Sequence, residues 1–427
     1  VTSCTHAALA TAMETGGLVT LACGETLVLT NTLVIATDTI LEGSVANATI
    51  SGAGSVRLFL VRPGVNFTIR RIDLINGRVA PAAAGADLLG EQASGAAIYN
   101  EGGRVVLEDV TLSGHIVTGG NGGNGSHGAN SRSGSHGRNG GPALGGAVFN
   151  EAGDLIATNV VFTANSATGG TGGNGGNGGT TANGGSGGNG GAGGWSAGAA
   201  LAHSGSGAVL LMNCTFSSNR VSGALAGLGG LSGGVLGLPG SLGLAGGAFG
   251  GAVFNRGGAV TIVNSTFHEN SGVAAAGANA TAVPGRGDNG HRGGDGGGAF
   301  GGGIFSDAGR IAVTNCTFAA QRLVGGNAGD GGNGSPLGFG GNGGHGGHGG
   351  EAAGGGIFIA GGEAFVVHST FGQSSLTGGT AGSGGNAGNG ITRAGSAGFV
   401  GEGLGGALAV RGGILSVKNS ILTGPVA

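Results

Sequence analysis

The feature that most constrains this chain is a stretch in which glycine fills about two positions in every three. Between Gly169 and Trp195, the remaining residues recur with a period of three, interrupted only at Thr180-Thr181-Ala182. This period fits neither the 3.6-residue repeat of a helix nor the two-residue repeat of a strand. Polyproline II repeats every three residues and rises about 3.1 Å per residue. The stretch therefore predicts two extended strands joined by a central turn, which form an arm about 40 Å long.

Comparable glycine-rich inserts recur along the chain with nearly constant length. They span 119–144, 169–196, 223–248, 273–301, 326–353 and 378–404. The alternative is a series of flexible linkers. Free loops have little reason to keep one length, because the entropy of loop closure changes only slowly with length. The recurrence therefore favours six ordered arms.

Composition limits the class of protein. The 427 residues include 112 glycines and 7 prolines, a content typical of low-complexity chains. However, 39% of the residues are hydrophobic, 9% are charged and the net charge is −3, so the usual signature of disorder is missing. Lys418 is the single lysine. We therefore expect neither nucleic acid nor anionic membranes as partners.

The sequence also contains no apolar run long enough to span a membrane and no signal peptide. We interpret it as a secreted protein whose signal peptide has been removed. Cys4 and Cys23 flank the first segment and predict a short disulfide-closed loop, whereas four reduced thiols are the alternative. Cys214 and Cys316 lie two repeats apart, too far for a disulfide, and are predicted to be buried free thiols.

Residues 1–94 are predicted to form an N-terminal capping helix over residues 3–16 and the first strand-rich coils. Residues 95–427 repeat one pattern seven times and continue the same solenoid. One apolar position recurs every 50–54 residues, at Leu112, Phe162, Phe216, Phe267, Phe318, Phe371 and Ile421. Without its arm, each repeat keeps about 22–25 residues, enough for one coil of a parallel β-helix. A β-propeller needs four strands per blade, and this remainder is too short for that.

Two further columns are predicted in the coils. A polar residue stands shortly before each apolar marker, at Asp109, Asn159, Asn213, Asn264, Asn315, His368 and Asn419. We predict that these residues form a hydrogen-bonded ladder at an inward turn, as stacked asparagines do. Tyr99, Phe149, Phe254, Phe305 and Phe358 predict an aromatic stack.

The paired motifs GGA(I/V)…N and (S/C)TF..N resemble the repeats of chlamydial polymorphic outer-membrane proteins and related bacterial surface proteins. The opening C…ALATAMETGGLVTLACGETLVLTNTLVI is similar to the first coils of bacterial pectate-lyase-like proteins. These resemblances imply a secreted right-handed parallel β-helix, commonly displayed on a surface or adhesive. The arms resemble the polyglycine II packing of some phage tail-tip adhesins and of a glycine-rich insect antifreeze protein.

The third insert differs from the others because leucine replaces its polar residues. Leu225, Leu228 and Leu231 follow the period of three. The candidate interface consists of Leu225, Leu228, Leu231, Leu236, Leu238, Leu242 and Leu244. An exposed apolar stripe usually marks an interface, so we favour a contact with another molecule over the centre of the bundle.

The sequence is dominated by repeats and contains no consistent cluster of catalytic residues. This predicts a non-catalytic structural or adhesive protein at the cell surface. We expect it to self-associate head to tail into a filament or fibrous layer and to contact surface glycans. No metal or cofactor is predicted, and His345 and His348 lie too far apart to chelate one metal easily. A polysaccharide-binding or polysaccharide-cleaving β-helix, with Glu101 and Glu151 as the acidic pair, is one alternative. An ice-binding protein is another.

Overall fold

The computed structural model describes residues 1–44, 48–181, 184–234, 237–280, 289–337, 340–390 and 392–423. In this part of the chain, the fold is almost entirely β, with one short helix and 41 strands in four sheets. The strands pair in parallel, and the sheets are curled around a shared core. This arrangement is consistent with a β-helix or solenoid-like fold.

The helix, α1, spans His6–Glu14 and lies at the first end of the core. Thr5 caps its N-terminus, where the hydroxyl accepts a hydrogen bond from the backbone N–H of Ala8 at 3.3 Å. Leu9 and Met13 are buried and join the main hydrophobic core. The polar face of the helix is left to solvent, so the helix covers the core at this end.

The largest sheet, which we call the large sheet, has 17 strands. Most repeats contribute two neighbouring strands to it, and in two repeats these strands are continuous, as in Val253–Val263. Its strands are Gly17–Leu21, Leu33–Ile35, Thr39–Gly43, Phe59–Val61, Asn66–Arg70, Ile98–Asn100, Arg104–Glu108, Val148–Glu151, Asp154–Thr158, Leu201–Ser204, Ala208–Met212, Val253–Val263, Ile304–Thr314, Ile357–Ile359, Glu363–Val367, Leu408–Val410 and Ile414–Lys418.

The second sheet has ten strands and carries the predicted apolar column. Its strands are Leu27–Val28, Thr49–Ser51, Asp73–Ile75, Thr111–Ser113, Val161–Thr163, Thr215–Ser217, Thr266–His268, Thr317–Ala319, Thr370–Gly372 and Ile421–Leu422.

Two seven-stranded sheets lie at the bases of the glycine-rich inserts. The pre-insert sheet consists of Arg78–Val79, Ile116–Thr118, Ser166–Thr168, Arg220–Ser222, Ser271–Val273, Arg322–Val324 and Ser375–Thr377. The post-insert sheet consists of Ala93–Ser94, Ala143–Leu144, Ser196–Ala197, Ala248–Phe249, Ala299–Phe300, Ala352–Ala353 and Gly403–Leu404. The inserts run between these strands and are each one to four residues shorter than the sequence predicted. We call them segments 1 to 6, and they span 119–142, 169–195, 223–247, 274–298, 325–351 and 378–402.

The phenylalanine column lies inside the second sheet. Phe162, Phe216, Phe267 and Phe318 occupy paired positions on successive strands and are fully buried. Their ring centroids are 4.5–4.8 Å apart and the rings are nearly parallel. Leu112 and Phe371 extend the column at its two ends.

Ile421 does not continue this column. It pairs with Thr370, and the residue opposite Phe371 is Leu422. Side chains alternate between the faces of a strand, so a shift of one residue turns Ile421 to the outside. The side chain of Ile421 is accordingly 61% exposed.

The predicted polar ladder exists as a line of turns, but it lies on the outer surface. Its residues are all exposed and all have positive φ, between 47° and 55°. Asn159 donates to Asp109, Asn213 donates to Asn159, and Asn315 donates to Asn264, at 2.8–3.2 Å. Asn419 similarly contacts His368 at 3.1 Å. The inward orientation was wrong, because asparagine is selected here for its tolerance of the left-handed conformation.

A different polar ladder is buried, and the sequence analysis missed it. It is formed by His115, Asn165, Asn219, Asn270 and Gln321, all 0% exposed. In Asn165, Asn219 and Asn270, the side-chain amide donates to a backbone carbonyl of the preceding repeat and to the side chain of the next rung. These residues are the last position of the (S/C)TF..N motif, so the motif itself contained the signal.

Candidate interaction surface of the glycine-rich segments

The glycine-rich segments are joined by backbone hydrogen bonds that follow the period of three. In the triplet Gly172-Gly173-Asn174 of segment 2, Gly172 donates to the carbonyl of Leu225 in segment 3 at 2.9 Å. Gly173 donates in the opposite direction, to Arg138 in segment 1 at 2.8 Å. The two glycines of this outgoing-strand triplet therefore connect segment 2 to both of its neighbours. On the returning strand, Gly187 donates to Leu238 of segment 3, whereas Gly188 donates to Gly176 on the other strand of segment 2.

The third residue of the triplet uses the side chain of the preceding segment. The backbone N–H of Asn174 donates to Oδ1 of Asn124, and that of Leu228 donates to Oδ1 of Asn174, both at 2.8 Å. Histidine accepts in the same way through Nδ1: His127 accepts from Asn177 at 2.8 Å. All three N–H groups of such a triplet are satisfied, as the backbone of a packed segment requires.

His345 and His348 each use Nδ1 in this hydrogen-bond pattern. Nδ1 of His345 accepts from the backbone of Ser396 at 3.1 Å, and Nδ1 of His348 accepts from Phe399 at 2.9 Å. Among the described residues, no group of three or more His, Cys, Asp or Glu side chains is placed to hold a metal ion.

Glycine is required in the segments because of this close packing. A Cβ at Gly173 would overlap the carbonyl oxygen of Gly123 in segment 1. A Cβ at Gly227 would overlap the carbonyl oxygen of Gly173 in the same way. The third position of the triplet is exposed or half-buried instead, and it carries the larger side chains of the segments.

A short stretch before the first insert packs against segment 1, although the sequence analysis did not include it among the arms. Ala84 and Asp87 donate to the carbonyls of Asn121 and Asn124 at 3.1 and 3.2 Å. The Asp87 carboxylate also accepts hydrogen bonds from the Ser126 and Ser135 hydroxyls, which lower the pKa of this carboxyl. Residues 80–92 thus cover the outer face of segment 1.

The hydrogen bonding between segments is interrupted at one place, between segments 3 and 4. Among the described residues, the hydrogen bonding of these two segments is confined to their bases, where Ala275 donates to Gly246 at 3.0 Å. Segments 1 to 3 form one hydrogen-bonded group, and segments 4 to 6 form another.

Two side chains explain the interruption. Ala278 and His291 of segment 4 stand where segment 5 has Gly329 and Gly344. At both of those glycines, a Cβ would overlap a carbonyl oxygen of the preceding segment. The side chains of Ala278 and His291 therefore occupy the space that such a close approach to segment 3 would need.

The leucines of segment 3 lie beside this interruption. The exposed fractions of the Leu225, Leu228, Leu231, Leu238 and Leu244 side chains are 42–70%. Leu242 is half-buried, and Leu236 lies outside the described residues. Leucine has no acceptor, so these positions cannot receive the N–H of a following segment, as Asn174 does.

An aromatic pocket of about 400 Å³ opens at the base of segment 3. Its walls include Trp195, Phe249 and Phe254, and its rim carries Arg256 and Asp307. The Arg256 guanidinium lies 4.9 Å from the Trp195 ring centroid, and its Nε is 3.2 Å from the Asp307 carboxylate. The predicted aromatic stack is interrupted here: Ala202 stands between Phe149 and Phe254 on paired strands.

The acidic pair proposed from the sequence is divided between two separate contacts. Glu101 forms an ion pair with Arg62 at 2.8 Å. Glu151 accepts a hydrogen bond from the Tyr99 hydroxyl. Burial, followed by this hydrogen bond, raises the pKa of Tyr99 well above its usual range.

All four cysteines are free thiols in the structure. Cys4 and Cys23 are neighbours: burial, with a smaller contribution from Cys4, raises the pKa of Cys23 to about 11. Their disulfide stays a prediction. Cys214 and Cys316 are buried, and burial raises the pKa of each thiol to about 11.

Comparison with protein-family models, curated proteins and solved structures found no match for this chain. Within the described ranges, no helix has the length and apolar character needed to cross a bilayer.

Proposed function

We propose that this chain is a right-handed parallel β-helix whose six glycine-rich segments pack beside it as polyglycine II-like arms. The parallel pairing of successive repeats supports the coil, since each repeat buries its apolar residues against the next. The hydrogen bonds between neighbouring segments, and between the two strands of one segment, support the arms.

The protein acts as a non-catalytic structural or adhesive component of an extracellular surface. The observation that carries this proposal is the pairing of all three N–H groups in the triplets from Thr171 to Gly179 of segment 2. Ordering so many glycines costs considerable conformational entropy, which only extensive mutual packing offsets. A flat, rigid bundle is the product of that packing, and it suits a scaffold better than a catalyst.

Electron microscopy of the purified protein tests this function. We expect elongated particles with the bundle along one side, and lateral or end-to-end association at high concentration. Dispersed globular monomers under the same conditions would contradict the proposal. Head-to-tail filament formation stays a prediction of the sequence.

A second candidate function, carbohydrate binding, is favoured by the aromatic pocket. Aromatic faces pack against the apolar face of a sugar ring, and the Arg256–Asp307 pair offers both donors and acceptors to its hydroxyls. Polysaccharide cleavage and ice binding stay predictions of the sequence.

Trp195 is the single tryptophan of the chain, so its fluorescence reports on this pocket directly. Titration with a panel of methyl glycosides is expected to change the emission, and Asp307→Asn to weaken that response. Arg411→Gln is the matched control, because Arg411 also lies over aromatic rings but outside this pocket. A panel without effect on the emission would exclude this second function.

A further inference from the structure

Segment 3 has an open face, which carries its exposed leucines and, in the described part of the chain, lacks the hydrogen bonds that a following segment would supply. This face points to a specific partner. We infer that a second copy of this chain covers it, so that two copies dimerise through segment 3 about a twofold axis. This inference rests on the self-association expected of the proposed structural function, and it adds the surface and the symmetry of the contact.

In segment 2, the equivalent face is covered by segment 3. In segment 2, Gly175 donates to Leu228 of segment 3, and the Gly188 carbonyl accepts from Gly230, both at 2.8 Å. The equivalent groups of segment 3, the N–H of Gly229 and the carbonyl of Gly240, have no hydrogen-bond partner among the described residues. The contact surface therefore continues an interface that this molecule already uses.

The unpaired groups of this face are complementary under twofold symmetry. The outgoing strand of segment 3 offers the Gly229 N–H as a donor, and the returning strand offers the Gly240 carbonyl as an acceptor. A twofold axis places the outgoing strand of one copy opposite the returning strand of the other. Each donor then faces an acceptor, and the contact is isologous.

Leucine supplies the apolar part of the contact. Asn174 and Asn177, the equivalents of Leu228 and Leu231 in segment 2, reach forward to the next segment by hydrogen bonds. Leu228 and Leu231 are 42% and 44% exposed, and Leu244 on the returning strand is 70% exposed. Meeting the same face of a second copy removes all of these side chains from water at once.

Segment 4 of the same chain cannot provide this cover. Ala278 and His291 place side chains where close packing requires glycine, so the intramolecular approach is blocked. A second copy presents glycine at 229 and 240 and leucine at the exposed positions, so neither of these side chains stands in its way.

Sedimentation velocity of the full chain over a range of concentrations tests the dimer. The wild type is expected to change from monomer to dimer, and Leu228→Asn with Leu231→Asn to raise the dissociation constant more than about tenfold. Asparagine is the residue that segment 2 carries at both positions, so the segment keeps its structure. Leu89→Asn, at a leucine outside segment 3 that is even more exposed, is the matched control and should leave dimerisation unchanged.

Cross-linking gives a second, positive readout. A mixture of Leu231→Cys and Leu238→Cys chains is expected to form an intermolecular disulfide under mild oxidation, because pairing Gly229 with Gly240 of the other copy places Leu231 opposite Leu238. A mixture of Leu89→Cys and Leu238→Cys chains is not. A wild type that stays monomeric at high micromolar concentration overturns the inference, as does a dimer that Leu228→Asn with Leu231→Asn leaves intact. Hydrogen exchange of the glycine segments separates this failure from failure of the proposed scaffold, because protected glycines without a dimer contradict only the inference.

Discussion

Single residues in this molecule are chosen by what the neighbouring repeat requires of them. Asn174 is exposed, yet its side chain accepts the backbone N–H of Leu228 in the next segment. Asn165 is buried and makes two hydrogen bonds through its amide. The same residue type thus completes the hydrogen bonding of both the coil and the glycine-rich segments.

His115 makes the stability of the coil dependent on pH. It is fully buried as the first rung of the inner ladder, where Nδ1 accepts from Gly77 at 2.9 Å. Burial lowers the pKa of His115 to about 4. The unfolded chain takes up this proton near pH 6.5, so stability falls as pH decreases from about 6.5 to about 4, by up to roughly 3 kcal/mol.

His115→Asn is expected to remove this part of the pH dependence, because asparagine fills the rung in three later repeats. Thermal unfolding between pH 4 and pH 7 measures it, with His268→Asn, at an exposed position, as the control. An equal loss of stability on acidification in wild type and His115→Asn would contradict the assignment.

A single methyl group in a glycine-rich segment should disturb its packing. Gly173→Ala places a Cβ against the carbonyl oxygen of Gly123, and the expected destabilisation is about 1–3 kcal/mol, as in other overpacked sites. Thr171→Ala changes an exposed position of the same segment and should cost less than about 0.5 kcal/mol. Amide exchange of segment 2 compares them, and equal exchange in both variants would show that the backbones are not in close contact.

At the scale of elements, the phenylalanine column holds the second sheet together. The Phe216 ring centroid lies 4.8 Å from that of Phe162 and 4.5 Å from that of Phe267. Phe216→Ala should destabilise the fold by about 3–5 kcal/mol through the cavity that it leaves. Phe216→Leu should cost clearly less, since Leu112 occupies the same column. Denaturant unfolding distinguishes the two, and equal costs would argue against a packed column.

The sequence predicts elements better where one residue type has one physical role. The spacing of the phenylalanines predicted strands that the structure pairs in register, because only one face of each strand can bury a large ring. Asparagine has several roles, so its recurrence at Asn159 and Asn213 did not reveal that these residues lie at exposed left-handed turns.

The interruption between segments 3 and 4 shows more clearly what the sequence does not predict. The sequence predicts the period of three, but it does not distinguish the roles of the two glycines in each triplet. Only the structure shows that Ala278 and His291 stand at positions that face the preceding segment, segment 3. The leucines were recognised as unusual, and the structure adds that they lie beside this interruption.

For the whole molecule, the coil and the glycine-rich segments depend on each other. In the proposed β-helix, each repeat advances the coil by one strand spacing, about 4.8 Å, and brings the next glycine-rich segment beside the last. Segments 1 to 3 and 4 to 6 then form two hydrogen-bonded groups along one coil. This division gives the molecule an open face without interrupting its core.

Hydrogen exchange of the glycine amides tests most directly whether the segments are packed arms. If they are, the glycine amides of 169–179 and 184–194 should exchange at least about a hundredfold more slowly than those of an unstructured chain, since each donates a hydrogen bond to a neighbouring repeat or to the other strand of segment 2. Exchange of these amides at the rate of an unstructured chain, while the coil strands stay protected, would contradict the packed arrangement.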